Sequence, residues 1–263
     1  MGNQIKYRMS KLPEANRFLD LSDYGRPAAR FIANLIKETS LTPIHVTVAF
    51  IISGLIAIYC MLEGHFIFAA LFLVLKSILD AADGELARIK ATPSYVGRYF
   101  DSIADIILNL MFLITIWHIT GGSMALLILA FIGIQLQGTL YNYYYVILRN
   151  MHNGDTTSRV FEDHAPIALP GETQTAVNWF YWTYNMLYIA FDKTIYYLDK
   201  KATSATNFPN WFMTAVSTFG LGFQLLIMGL MLIFHLENYI IPFFLSYSML
   251  IFVFIGIRRY IND

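Results

Sequence analysis

Long apolar runs, separated by short polar breaks, occupy most of the chain from residue 46 to residue 257. A helix that crosses a bilayer needs about 20 mainly apolar residues. Five runs meet that length cleanly or nearly so: 46–62, 103–119, 123–148, 212–235 and 239–257. A sixth, 65–79, is too short unless its helix continues through Asp80 to about Arg88. The pattern predicts an all-α fold, a polytopic membrane helix bundle with six transmembrane helices. The second and third of these carry acidic residues at their ends.

Two stretches depart from the pattern. Before the first span, Phe18, Leu19 and Leu21, then Phe31, Ile32, Leu35 and Ile36, form apolar stripes broken at Gly25, Arg26 and Pro27. Basic residues face the other way. This predicts an N-terminal amphipathic helix, lying in the membrane interface or packed on the protein's own cytoplasmic end. After the fourth span, residues 149–211 open with a polar loop and continue into an aromatic stretch. That stretch is long enough to cross, but it holds Asn178, Asn185, Asp192 and Lys193. It is also rich in Trp and Tyr, which favour the interface. It reads as an interfacial or re-entrant helix. The chain divides into a cytoplasmic N-terminal segment, 1–41, and a six-span domain, 42–263, in which 149–211 is a cytoplasmic loop.

Charge sets the orientation. Six spans with the N-terminus inside leave outer turns near residues 62–65, 120–123 and 236–238, and none holds Lys or Arg. All 18 basic residues fall on the other side or, like Lys76, close to it. By the positive-inside rule both termini are cytoplasmic, and so is the acidic stretch. A seventh span would put Arg258 and Arg259 outside. Composition agrees: 57% of residues are hydrophobic, 14% are charged and the mean hydropathy is +0.52, too apolar for an ordinary soluble domain. The net charge of zero implies no nucleic-acid partner. The single cysteine, Cys60, cannot form an internal disulfide. The polar first ~40 residues, lacking an early apolar core, predict no cleavable signal peptide.

The chemistry concentrates between residues 80 and 105. Ionisable groups at membrane depth are costly and usually functional. Asp80 and Asp83 share one helical face at i and i+3, and Asp101 and Asp105 share another at i and i+4. Two adjacent antiparallel helices can aim all four carboxylates at one place. Such a group repels itself and needs cations. All-oxygen ligands suit hard ions such as Mg²⁺, Mn²⁺ or Ca²⁺ rather than zinc. Ala81, Ala82, Gly84, Ala87 and Gly97 leave room for a close ligand, and Arg88 offers a fork of donors to a phosphate. Together they suit a pyrophosphate. The plainer alternative is a set of acids that cap helix ends and pair with Arg88, Lys90 and Arg98.

The spacing D-x2-D-G-x2-A-R-x8-G-x3-D-x3-D is met at Asp80, Asp83, Gly84, Ala87, Arg88, Gly97, Asp101 and Asp105. It resembles the signature of the CDP-alcohol phosphotransferases. Thr42 and Pro43 echo a second family pattern, but Ile44 stands where Asn is usual, so a polar contact there falls to another residue such as His45. The resemblance implies attack of an alcohol hydroxyl on the β-phosphorus of a CDP-linked alcohol, with release of CMP, in phospholipid synthesis. It implies two divalent ions, Mg²⁺ or Mn²⁺, held by Asp80, Asp83, Asp101 and Asp105. Asp105 would be the general base, and Gly84, Ala87, Arg88 and Gly97 would line the CDP pocket. The family's members commonly form homodimers. The donor is either CDP-diacylglycerol or a CDP-linked small alcohol with a lipid acceptor.

Other residues invite bland readings first. His152 and His164 read as solvated loop residues, and Tyr141–Tyr145 as an interface belt. Arg149 and Arg159 are candidates for a phosphate or headgroup, beside Glu162 and Asp163. A divalent-cation transporter or channel with an acidic mouth is the competing function, though it would not need Gly84, Ala87, Arg88 and Gly97 at fixed spacing.

Overall fold

A computed structural model describes residues 12–13, 16–152 and 164–262. Arg159, Glu162 and Asp163 lie outside the described residues. Among those described, every regular element is a helix: α1 (Arg26–Ile36), α2 (Pro43–Leu62), α3 (Phe66–Ile89), α4 (Tyr95–Thr120), α5 (Met124–Met151), α6 (Gln174–Leu198), α7 (Asn210–Val216), α8 (Leu221–Ile233), α9 (Glu237–Ser248) and α10 (Leu250–Asn262).

Local chemistry explains where the helices begin and end. Pro43 at the first position of α2 gives up no useful N–H. Just before it, the Thr42 N–H donates to His45 Nδ1 at 3.1 Å. Gly64, at φ 72°, closes α2, and the His65 N–H returns to the Cys60 carbonyl at 2.8 Å. Helix α3 runs straight through the acidic residues, as the length argument requires, and stops at Ala91. That alanine takes the left-handed φ of 50° normally left to glycine, while the Thr92 N–H reaches the Ala87 carbonyl. Helix α4 then starts on the Ser94 hydroxyl, which accepts from the Gly97 N–H at 2.7 Å. Glu172, from the loop before α6, accepts from the Ser94 hydroxyl at 2.7 Å and the Val96 N–H at 2.8 Å. A residue distant in sequence thus completes the cap.

Among the described residues, four helices are long and apolar enough to cross a membrane: α2, α4, α5 and the joined α9–α10. A fifth is possible if α7 and α8 count as one bent span. Their outer faces carry exposed Ile52, Ile107, Ile128, Leu129 and Phe252, as a lipid-facing surface does, and α3 adds Ile67, Phe68 and Leu71. Helix α3 has the length but holds Lys76, Asp80, Asp83 and Glu85, and it is not among these four.

The run expected at 212–235 is not one straight helix. Helices α7 and α8 meet at a 57° bend around Gly220. The N-terminal segment packs into the bend. Ser22 packs so tightly there that a Cβ on Gly220 would sit 2.3 Å from its Cβ, and one on Gly222 only 1.9 Å from its carbonyl oxygen. The Ser217 hydroxyl also accepts the Leu21 N–H at 2.9 Å.

Helix α3 packs on α2, α8 and α1, while α4 packs on α2, α6, α5 and α9. The short 91–94 connection and the short α4–α5 turn put the C-termini of α3 and α5 and the N-terminus of α4 at one end of the bundle. Helix α6 begins there, through Glu172 on α4. It also finishes there, since Asp199 accepts from Tyr144 at 2.7 Å and from Arg258 Nε at 2.7 Å. It therefore runs across that end. Between those points Phe180, Tyr181 and Tyr184 pack on Phe100 and Tyr99. The Tyr belt is corrected too: Tyr143, Tyr144 and Tyr145 are buried and serve as anchors for other segments.

Candidate metal centre

Helix geometry brings the acids together. Asp80 lies nine residues before the end of α3 and Asp105 ten residues after the start of α4. At 1.5 Å per residue both stand about 14–15 Å from the same end. Asp83 and Asp101 match each other in the same way, about 9 Å in. Oxygens of Asp80, Asp101 and Asp105 do converge, each within 4.8 Å of the others. At 4.8 Å two ionised carboxylates repel by about 3.5 kcal/mol with an effective dielectric near 20. A cation is the natural relief. Asp101 Oδ1 is buried and meets no hydrogen-bond donor among the described residues. The all-oxygen donor set and this unused acceptor fit a hard divalent ion such as Mg²⁺ or Mn²⁺.

Asp83 stands apart from that group. Its Oδ2 accepts the Thr47 hydroxyl of α2 at 2.7 Å. Thr47 is buried and also reaches the Pro43 carbonyl at 3.2 Å. Nothing in the linear pattern singled it out. Lys76 stands one turn before Asp80 on α3. It is completely buried, lies 3.4 Å from Asp80 Oδ2 and donates more closely to Asp105 Oδ1. Its ammonium also sits 4.5 Å from the centroid of the Phe50 ring.

The other motif residues lie on the same two helices. Gly84 lies against the Arg88 guanidinium, which a Cβ there would meet at 3.5 Å, an ordinary van der Waals contact. Ala87 is half-buried on the same helix. A Cβ on Gly97 would press on Ser94 Oγ at 3.1 Å, so Gly97 also serves the α4 cap.

Arg88 meets Glu85 at 3.2 Å, and Glu85 proves to be an organiser that sequence reasoning passed over. Its Oε1 also takes Arg26 at 2.8 Å and lies 3.8 Å from Arg30. It joins α1, the end of α3 and Arg88 in one ionic group. Burial works against the Arg26 cation, but Asp23 and Glu85 outweigh it and hold the guanidinium above its ordinary pKa. On the far flank, the Tyr188 hydroxyl of α6 donates to the Ser102 carbonyl at 2.7 Å, between Asp101 and Asp105 in sequence.

The remaining candidates are placed as follows. His45 is spent on the α2 cap, with Nδ1 2.7 Å from the Thr42 hydroxyl. His152 lies 3.3 Å from the Asn16 amide, and His164 is exposed. Arg149 is buried with its guanidinium over the Tyr145 ring at 5.1 Å.

Comparison with known proteins bears on this geometry. The family model for CDP-alcohol phosphatidyltransferase matches residues 40–190, more than half of the chain and all of the acidic site. No curated protein matches the chain.

Proposed function

The chain belongs to the CDP-alcohol phosphatidyltransferase family, and from that premise we propose that it transfers a substituted phosphate group from a CDP-linked alcohol to a hydroxyl acceptor, releasing CMP. The observation that carries this reading is the convergence of Asp80, Asp101 and Asp105 from two helices. With Asp83, these residues would hold two divalent ions, Mg²⁺ or Mn²⁺. Bound there, the ions would neutralise charge on the pyrophosphate and on the attacking and leaving oxygens. Asp105 is the general base that takes the acceptor's hydroxyl proton. Gly84, Ala87, Arg88 and Gly97 line the CDP pocket: the small residues admit the nucleotide, and Arg88 offers donors to a phosphate when it turns from Glu85.

In this reading α3 also crosses the bilayer, which makes six spans with α2, α4, α5, α7–α8 and α9–α10. Its charged half faces the site rather than lipid. The site and both termini face the cytoplasm, supported by the Lys and Arg residues gathered at that end. Helix α1 turns Ala29 and Ala33 inward and leaves Phe31 and Leu35 exposed, which supports an interfacial position. Helix α6 rests in the same interface, with Trp179, Trp182 and Met186 exposed. The donor is CDP-diacylglycerol or a CDP-linked small alcohol.

The test is CMP release by protein in nanodiscs, supplied with Mg²⁺ or Mn²⁺, a panel of CDP-alcohols and pools of lipid and polar acceptors. Acceptor-dependent CMP is expected, and Asp105→Asn should lower it by about 10²–10⁴-fold. If neither CMP release nor metal-dependent CDP-alcohol binding appears anywhere in the panel, the reading fails, and ion flux becomes the next assay.

A further inference from the structure

Lys76 lies outside the family motif, yet it is the most deeply buried cation of the site. It sits on α3 one turn before Asp80, with no exposed surface. A buried lysine at membrane depth persists only where acids compensate it. Here the compensation is uneven. Lys76 donates to Asp105 Oδ1 and lies 3.4 Å from Asp80 Oδ2, whereas Asp101 Oδ1 has no hydrogen-bond donor among the described residues. The ammonium thus leans on two of the three carboxylates whose oxygens converge.

We propose that Lys76 is a positioning residue, a resident cation that holds Asp80 and Asp105 together without metal and competes with the divalent ion for them. The inference rests on the metal reading of the aspartates given above. Its physical content is a charge balance. With all four carboxylates ionised, one ammonium leaves a formal charge of −3, so the site still attracts a divalent ion, but less strongly than −4 would. An entering ion must also take up carboxylate oxygens that the ammonium now contacts. The Phe50 ring, 4.5 Å from Nζ, gives the ammonium a place to remain when it loosens its hold. Removing the charge should therefore tighten metal binding and make the metal-free protein less stable.

The experiment measures Mn²⁺ binding by electron paramagnetic resonance on the full chain in nanodiscs, without substrate, and thermal unfolding with and without Mn²⁺. Lys76→Met is expected to bind Mn²⁺ about tenfold more tightly or better, with a larger Mn²⁺-dependent rise in Tm. Lys76→Arg, which keeps the charge, should stay near wild type, and Lys76→Gln should follow Lys76→Met. If the neutral variants can be recovered only in the presence of Mn²⁺, the resident-cation role is supported. If they cannot be recovered even with Mn²⁺, Lys76 does more than stand in for the ion, and the proposal is overturned. Neutral variants with unchanged or weaker Mn²⁺ affinity overturn it as well, while leaving the metal site intact. A wild-type protein that binds no Mn²⁺ sinks the metal reading itself.

Discussion

Asp83 is held by Thr47, a side chain on a different helix. A ligand carboxylate needs such a partner to keep its orientation, and loss of the partner typically costs 10- to 100-fold in metal affinity. Thr47→Val is expected to weaken Mn²⁺ binding by about tenfold, read by the same resonance titration, with little change in helix content. An unchanged affinity would leave Thr47 a packing residue only. At this scale the sequence was informative about which residues matter and poor about their partners. The acids announced themselves by spacing in an apolar chain. Thr47, Lys76's closer attachment to Asp105, and the gathering of Arg26 and Arg88 on Glu85 did not. Each depends on contacts between helices that no local period encodes.

Helix lengths and ends tell a similar story. The argument that α3 must continue through its acids was readable, because the apolar run before Asp80 is too short to cross alone. Its stop was not. Ala91 is no usual helix terminator, yet it adopts φ 50°. A left-handed alanine costs about 1–2 kcal/mol, so Ala91→Gly should stabilise the protein by roughly 1 kcal/mol, seen as a higher Tm. A lower Tm would mean that the Ala91 methyl contributes packing that outweighs the strain. The bend between α7 and α8 was equally hidden. The stretch is apolar enough to read as one span, and the residue packed into the bend, Ser22, comes from the other end of the chain. Gly222→Ala should force Ser22 from its seat. The expected cost is about 1–3 kcal/mol, together with faster proteolysis of the N-terminal segment. Wild-type stability and cleavage rate would contradict the close approach.

For the whole molecule, the basic end of the bundle is tied together by elements far apart in sequence. The buried pair of Asp199 and Arg258 locks the end of α6 to α10, and Tyr144 adds α5. Arg258→Met leaves a buried carboxylate without its main partner and should cost about 3–5 kcal/mol. Chemical denaturation in detergent reads this directly, and a loss below 1 kcal/mol would show that the pair is dispensable. The membrane class was legible because composition and apolar period point the same way, and the spacing of the aspartates marked the acidic site. The course of α6 across one end was only half legible. Its Trp and Tyr content suggested an interface, but only the contacts at both of its ends show that it starts and finishes together.

The central claim is that α3 and α4 build one metal centre from aspartates at matching heights. Anomalous scattering from crystals of the protein soaked in Mn²⁺ tests it most directly. The account predicts anomalous peaks between the carboxylates of Asp80, Asp101 and Asp105, with Asp83 at their edge. Strong peaks elsewhere in the protein, with none among these aspartates, would contradict it.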